Sequence, residues 1–517
     1  MKMERFLRGI FKIIFSRTLV VILMVLLQIA FLVGSFLTLG SYYPYIWEGM
    51  GVLSVLLIVI IINRDEPTEF KLTWIIPMCL FPLLGALIYL FVMTDQGGLR
   101  LRAKLRRRVK ETKGLLTTSK ETEEAVKLYP EAFRGFAHYM EYKAGFPVYH
   151  DTNACYYPLG ENKFTDLLTD LKKAQKYIFL EYFIIEPGKM WDAVLEILKA
   201  KVKEGVEVRV MYDGMCSLLL LPYRYPRELA LYGIKAKMFA PIVPFLSTTQ
   251  NNRDHRKILV IDGEIAYTGG VNLADEYINQ KMRFGHWKDV AVKVTGEAAK
   301  SFTVMFLQMW NVSSKEEGVY TPYLETASGQ KEIACRGLVI PYGDTPTRKM
   351  EVAKTVYESM IHSAARYVHI MTPYFVVDRE FLDVMRYAAY RGVEVSIILP
   401  HIPDKKIVYY MARTFYPELL KAGIKVYEYT PGFIHAKVFV SDDVSAVVGT
   451  VNLDYRSFYH HFECGACFYD HPVVKPVEED FQATILKCRE VTPEYYKKIP
   501  AYQKLVGRVC RLIAPLV

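Results

Sequence analysis

At 517 residues, with a net charge of +10 and 52% apolar residues, the chain is too long for one ordinary domain, and two or more are expected. The positive charge suits an anionic partner, either nucleic acid or an acidic membrane surface. Its 8 cysteines have no framework spacing, and Cys464 and Cys467 form a lone C-x-x-C, which argues against a disulfide scaffold or a zinc site and for free thiols in a reducing compartment.

Residues 2–17 carry five Lys/Arg among apolar residues, and residues 18–39 then run for 22 positions without a charge, long enough to span a bilayer. The run exceeds the apolar core of a signal peptide and no clean cleavage site follows it. A second apolar stretch, 45–62, carries Glu48 near its start and is broken by Asn63-Arg64-Asp65-Glu66-Pro67. A third, 74–93, has no charge but contains Pro77, Pro82 and Gly85, which suit a packed membrane helix or a re-entrant hairpin. Residues 100–113 hold eight Lys/Arg against Glu111 alone, a run expected to meet anionic headgroups beside a membrane segment. Both basic segments favour the cytoplasm, so an even number of crossings is expected, with the second or third stretch re-entrant or interfacial. Residues 1–95 therefore read as a helical, multi-pass cell-membrane region and 96–138 as a basic juxtamembrane linker.

From about Tyr139 the pattern is α/β. A strand over 177–185, a helix over 190–203 and a strand over 205–210 recur as strand 367–376, helix 379–390 and strand 392–397. Gly-Val-Glu-Val stands at matching places in both. Strand–helix–strand alternation implies right-handed crossovers and a parallel or mixed sheet, and the repetition implies internal duplication. The handover falls near 320–335, giving two sheet domains, 139–325 and 326–517, with the site between them.

The strongest signal is a pair of motifs. His255-Arg-Lys257-Ile-Leu-Val-Ile-Asp262, continuing to Gly269-Gly270-Val-Asn272, recurs 180 positions later as His435-Ala-Lys437-Val-Phe-Val-Ser-Asp442, continuing to Gly449-Thr450-Val-Asn452. The β-branched and aromatic runs after each lysine read as buried strands. His and Lys, two apart, share one strand face, and each aspartate opens a turn into a second apolar run. Each copy is a hairpin-like unit presenting imidazole, ammonium and carboxamide at one end. Two facing units suit a phosphodiester: Lys257, Lys437, Asn272 and Asn452 hold non-bridging oxygens, one imidazole attacks phosphorus and the other protonates the leaving oxygen. A nucleophilic imidazole needs an acceptor on its other nitrogen. Asp289, after the first copy, and Glu463, after the second, are the candidates.

These residues match the paired motif of the phospholipase D superfamily, and the surrounding sequence most resembles the bacterial cardiolipin synthases, from about Ile58 to the C-terminus. The charged loop and proline-broken arm over 58–93 are similar to that family's N-terminal hairpin, with the first apolar run an addition. The resemblance implies a fold of two duplicated phospholipase D-like sheet domains facing each other, and a catalytic set of His255, Lys257, Asp262, His435, Lys437 and Asp442. It implies a phosphohistidine on His255, acid–base work by His435, and no metal or other cofactor. One phosphatidylglycerol would give up its phosphatidyl group, releasing glycerol, and a second would accept it to form cardiolipin. Partners are then phosphatidylglycerol and other anionic membrane lipids, and not nucleic acid, since a nuclease does not explain the apolar runs. A hydrolytic phospholipase D, a phosphatidylserine synthase and a non-enzymatic anionic-lipid-binding protein are the alternatives, the last disfavoured by intact His, Lys and Asn in both copies. Two departures stand out. Gly270 and Thr450 occupy a position often held by serine, so at Gly270 a hydroxyl contact to phosphate is lost or replaced by backbone N–H. His460-His461 stands where asparagine often precedes the second acid, and reads as polar lining.

Overall fold

The computed structural model describes residues 33–34, 43–93, 96–216, 220–241, 252–314, 316–325, 335–347 and 350–516. Two compact units separate, one of Met1–Arg100, Ile242–Asn251 and Leu512–Val517, the other of Leu101–Pro241 and Asn252–Arg511.

In the first unit α1 (Tyr43–Ile62), α2 (Thr68–Leu80) and α3 (Pro82–Met93) pack on one another. Leu57, Ile61, Met78, Ala86 and Tyr89 form their shared core. The third apolar stretch is not one segment. Phe81 leaves helical geometry at φ −137° and ψ 76°, and Pro82, which has no N–H to give, starts the next helix. At 13 and 12 residues, these helices extend only about 20 Å each, short of the roughly 30 Å apolar layer. They fold tightly together, because a Cβ on Gly85 would lie 2.7 Å from the Met78 Cα. Among the described residues no helix is long and apolar enough to cross a membrane. The first apolar run, 18–39, lies outside the described residues except for 33–34.

The basic run falls on α4 (Gln96–Thr112), and it is not uniformly offered to lipid. Arg108 is buried, donating to Glu111 (2.8 Å) and to the Ser314 carbonyl (2.6 Å). Arg102, Lys104 and Arg106 remain exposed.

The second unit holds two sheets. The first half supplies β1 (Asn153–Tyr157), β2 (Tyr177–Tyr182), β3 (Glu207–Asp213), β4 (Lys235–Phe239), β5 (Lys257–Ile261), β6 (Ile265–Gly269), a short β7 (His286–Lys288) and β8 (Ala291–Thr295). Its sheet runs β1-β8-β6-β5-β2-β3-β4. The second half supplies β9 (Leu338–Asp344), β10 (Tyr367–Met371), β11 (Phe375–Val376), β12 (Glu394–Pro400), β13 (Lys425–Tyr429), β14 (Gly432–Ile434), β15 (Val438–Ser441), β16 (Ser445–Gly449), β17 (Leu453–Asp454), β18 (Glu463–Tyr469) and β19 (Cys488–Glu490). Its order, β9-β18-β16-β15-β10-β12-β13-β19, repeats the first with one strand added. In each sheet three strands pair in parallel (β2, β3, β4 and β10, β12, β13) and the others antiparallel. The first parallel pair of each sheet, β2–β3 and β10–β12, is joined by α6 (Lys189–Lys203) and α9 (Arg379–Tyr390), α5 (Gly160–Lys173) and α8 (Val352–Ser363) precede these pairs, and α7 (Ala299–Asn311) lies between the two sets in the chain. A parallel pair needs a crossover of a dozen or more residues, which these helices supply. Beyond them come α10 (Lys406–Arg413), α11 (Val474–Ile485) and α12 (Ala501–Arg511).

Main-chain bonds stitch the halves together. β7 pairs in parallel with β14. The His255 N–H donates to the Phe462 carbonyl (3.0 Å), and the His435 N–H donates to that of Lys288 (2.7 Å). Each motif histidine is thus anchored by the opposite half.

Candidate active site

The two motif hairpins, β5–β6 and β15–β16, are the central antiparallel ladders of the sheets. Their strands are buried on both faces because every residue between lysine and aspartate is apolar or small, and helices cover them. His255, Lys257, His435 and Lys437 are all buried. Each lysine ammonium donates to the carbonyl of its own histidine two residues back, which fixes the long side chain and leaves further protons for an anion.

The two candidate acids are exchanged between halves. His255 Nδ1 lies 3.0 Å from each oxygen of Glu463, and His435 Nδ1 lies 2.6 Å from Asp289 Oδ2. With Nδ1–H donated to a carboxylate, Nε2 carries the lone pair in each ring. Phe183 stands edge-on to His255 at 5.1 Å, and Trp287 and Tyr277 stand 5.5 and 5.7 Å from His435. Burial holds both imidazoles well below the usual histidine value. It also pulls Lys257 down to about 8 and Lys437 to about 7, and lifts Asp289 to about 6. Burial works against the Glu463 carboxylate too, but pairing with His255 outweighs it and holds that acid below its usual range.

The motif's other residues divide. Asp262 and Asp442 are not brought to the histidines. Five strand residues beyond each lysine, at about 3.3 Å per residue, place them roughly 16 Å away at the far end. There the Asp262 carboxylate accepts the N–H groups of Gln175, Lys176 and Tyr177, each at 2.8 Å. Asp442 likewise accepts those of Ala365, Arg366 and Tyr367 at 2.7 to 2.9 Å. Asn272 is largely committed, accepting from the Ile184 N–H (3.0 Å) and donating to the Tyr277 hydroxyl (2.7 Å). Asn452 keeps a buried Oδ1 with no hydrogen-bond partner among the described residues.

The Gly270–Thr450 difference has a steric cause. A Cβ at Gly270 would fall 1.9 Å from Asp289 Oδ1, so only glycine admits the shorter acid there. The Gly270 N–H is already donated to the Val290 carbonyl, and so does not replace a lost hydroxyl. Thr450 turns its hydroxyl to Glu463 Oε2 instead. His461 is buried, with Nδ1 3.5 Å from Glu463 Oε1 and its ring 5.4 Å from that of His255. His255, His461 and Glu463 could together hold a metal ion, their ligand atoms lying within 4.8 Å of one another. Glu463, however, already serves His255 and Thr450.

Lys163, on α5, was not among the expected site residues. It is buried, donates to the Tyr182 hydroxyl and the Val271 carbonyl (3.3 Å each), and burial lowers it to about 7. Asp289 and Lys257 are the charges it feels. The signal was a lysine four residues before Leu167 on the helix's apolar stripe.

The family model described as cardiolipin synthase, PLD-like domain, matches twice, over residues 167–310 and 357–485, once for each motif. A cardiolipin synthase of Halalkalibacterium halodurans is 33% identical over 91% of this chain and 95% of its own length. The chain belongs to the cardiolipin synthase family. A second cardiolipin synthase, from a Geobacillus species, is 34% identical over 94% of this chain and 97% of its own. The phospholipase D-nuclease N-terminal model matches residues 52–92, the three-helix cluster. The solved phosphatidylserine synthase of Haemophilus influenzae shares the fold, with a TM-score of 0.54 at 14% identity, over 70% of this chain and 93% of that one. As a member of the cardiolipin synthase family the protein is a phosphatidyltransferase of the phospholipase D type.

Proposed function

We propose that the protein makes cardiolipin from two phosphatidylglycerols. The observation that carries this reading is the pair of buried imidazoles, each held at Nδ1 by the other half's carboxylate and each beside a lysine. In the first step His255 Nε2 attacks the donor's phosphorus. The phosphorus–oxygen bond to glycerol breaks, and protonated His435 gives its proton to the departing oxygen. Alone, that imidazole is hard to protonate, but the entering phosphodiester anion raises its basicity, and Asp289 stabilises the cation. Lys257 and Lys437 neutralise the non-bridging oxygens. In the second step His435 takes the proton of the acceptor phosphatidylglycerol's hydroxyl, the alkoxide attacks phosphorus, and the bond to His255 breaks.

Residues 18–39 and the three-helix cluster are the proposed embedding in the cell membrane. Val52, Val55, Leu56, Val59 and Ile60 of α1 are exposed, as an apolar surround requires. Products from phosphatidylglycerol vesicles test the chemistry. Cardiolipin and glycerol in equal amounts are expected. Phosphatidic acid without cardiolipin would make the protein a hydrolase, and a product formed only with serine as acceptor would make it a serine transferase.

A further inference from the structure

Helix α12 turns its apolar face outward. Its sequence, AYQKLVGRVCR, has Lys504, Arg508 and Arg511 and no acid. Gly507 is the residue it buries, so close to α10 that an added Cβ would meet the Tyr410 carbonyl oxygen at 2.3 Å. Tyr502, Leu505, Val506 and Val509, spaced i, i+3, i+4 and i+7, are left 59, 64, 38 and 57% exposed. A helix seated on protein normally does the reverse. On α10, Ile407 is 52% exposed. The same short helix begins beside Lys405, which lies 4.8 Å from the Tyr374 ring and whose charge reaches His435. The unpartnered surface therefore lies one two-turn helix from the chemistry.

We propose that α12 seats the catalytic unit on an anionic lipid bilayer. Tyr502, Leu505, Val506 and Val509 enter the boundary between headgroups and acyl chains, and Arg508, with Lys504 and Arg511, meets lipid phosphates. Charge selects this occupant: the helix carries three cations and no acid, and although Glu418 lies 3.7 Å from Arg511, an apolar stripe on a cationic helix is complementary to anionic headgroups. The choice of a bilayer rests on the phosphatidyl-transfer reading, but the test separates the two. The full-length protein, carrying a benzophenone amino acid at position 509, is reconstituted in phosphatidylglycerol nanodiscs and irradiated. Lipid adducts at that position are expected. Adducts only to another part of the protein, to a second copy or to solvent would overturn the proposal. In parallel, Leu505→Gln with Val509→Gln should raise KM for vesicle phosphatidylglycerol about tenfold and leave kcat/KM for a monomeric short-chain phosphatidylglycerol unchanged. An equal loss on both substrates, or on neither, would also overturn it. An unmodified protein that converts neither substrate would remove the catalytic reading while the crosslink still decides the docking.

Discussion

At the scale of single residues, the roles of the two histidines are distinguishable. If His255 is the nucleophile, His435→Ala should still form a phosphatidyl-enzyme slowly from a donor with a good leaving group, and His255→Ala should form none. Acid-labile label trapped on His435 in His255→Ala would reverse the assignment. The buried charges also set a pH dependence. Burial lowers His255, so its neutral form persists as pH falls below the ordinary histidine range. Lys257 and Lys437, at about 8 and about 7, lose their charge as pH rises, and with it their hold on phosphate. KM for phosphatidylglycerol should therefore be lowest on the acid side of neutrality and climb as pH rises through about 7 and about 8. A KM flat across roughly pH 6 to 9 would show that these ammoniums do not carry binding. Gly270→Ser puts a Cβ where Asp289 Oδ1 lies. It should cut kcat by about 10²-fold or more, as loss of acid–base alignment does, with the melting temperature reporting whether the fold survives.

At the scale of elements, the hairpins were legible because period and spacing carry them: a run of β-branched residues, a turn residue, a second run. What each turn aspartate does was not legible. Its partners at Gln175 to Tyr177 lie 85 to 87 positions away, and nothing in the motif points to them. Both aspartates fasten the turn to the start of the next strand over. Asp262→Ala should cost about 1–3 kcal/mol of stability by orphaning those donors, while kcat per folded molecule stays within about twofold. Denaturant unfolding paired with active-site titration checks this, and a large loss of kcat at unchanged stability would return the aspartate to the chemistry. The third apolar stretch failed as a single segment for a local reason, since Phe81 and Pro82 end one helix and begin another.

At the scale of the whole molecule, the duplication could be read from the repeated motif, but the exchange of acids could not. Glu463 reaches His255 across 208 positions and Asp289 reaches His435 across 146, contacts that only the apposition of two sheets creates. Because both imidazoles and both acids belong to one chain, mixing His255→Ala protein with His435→Ala protein should restore no activity. Recovery on mixing would mean that two chains share a site. The stitching of the halves has a mechanical consequence. The β7–β14 pairing and the backbone bonds of His255 and His435 run through or beside the motif residues, so a clamshell opening would have to tear out the very bonds that hold both imidazoles in place. Separating the halves would therefore cost the alignment of both imidazoles at once.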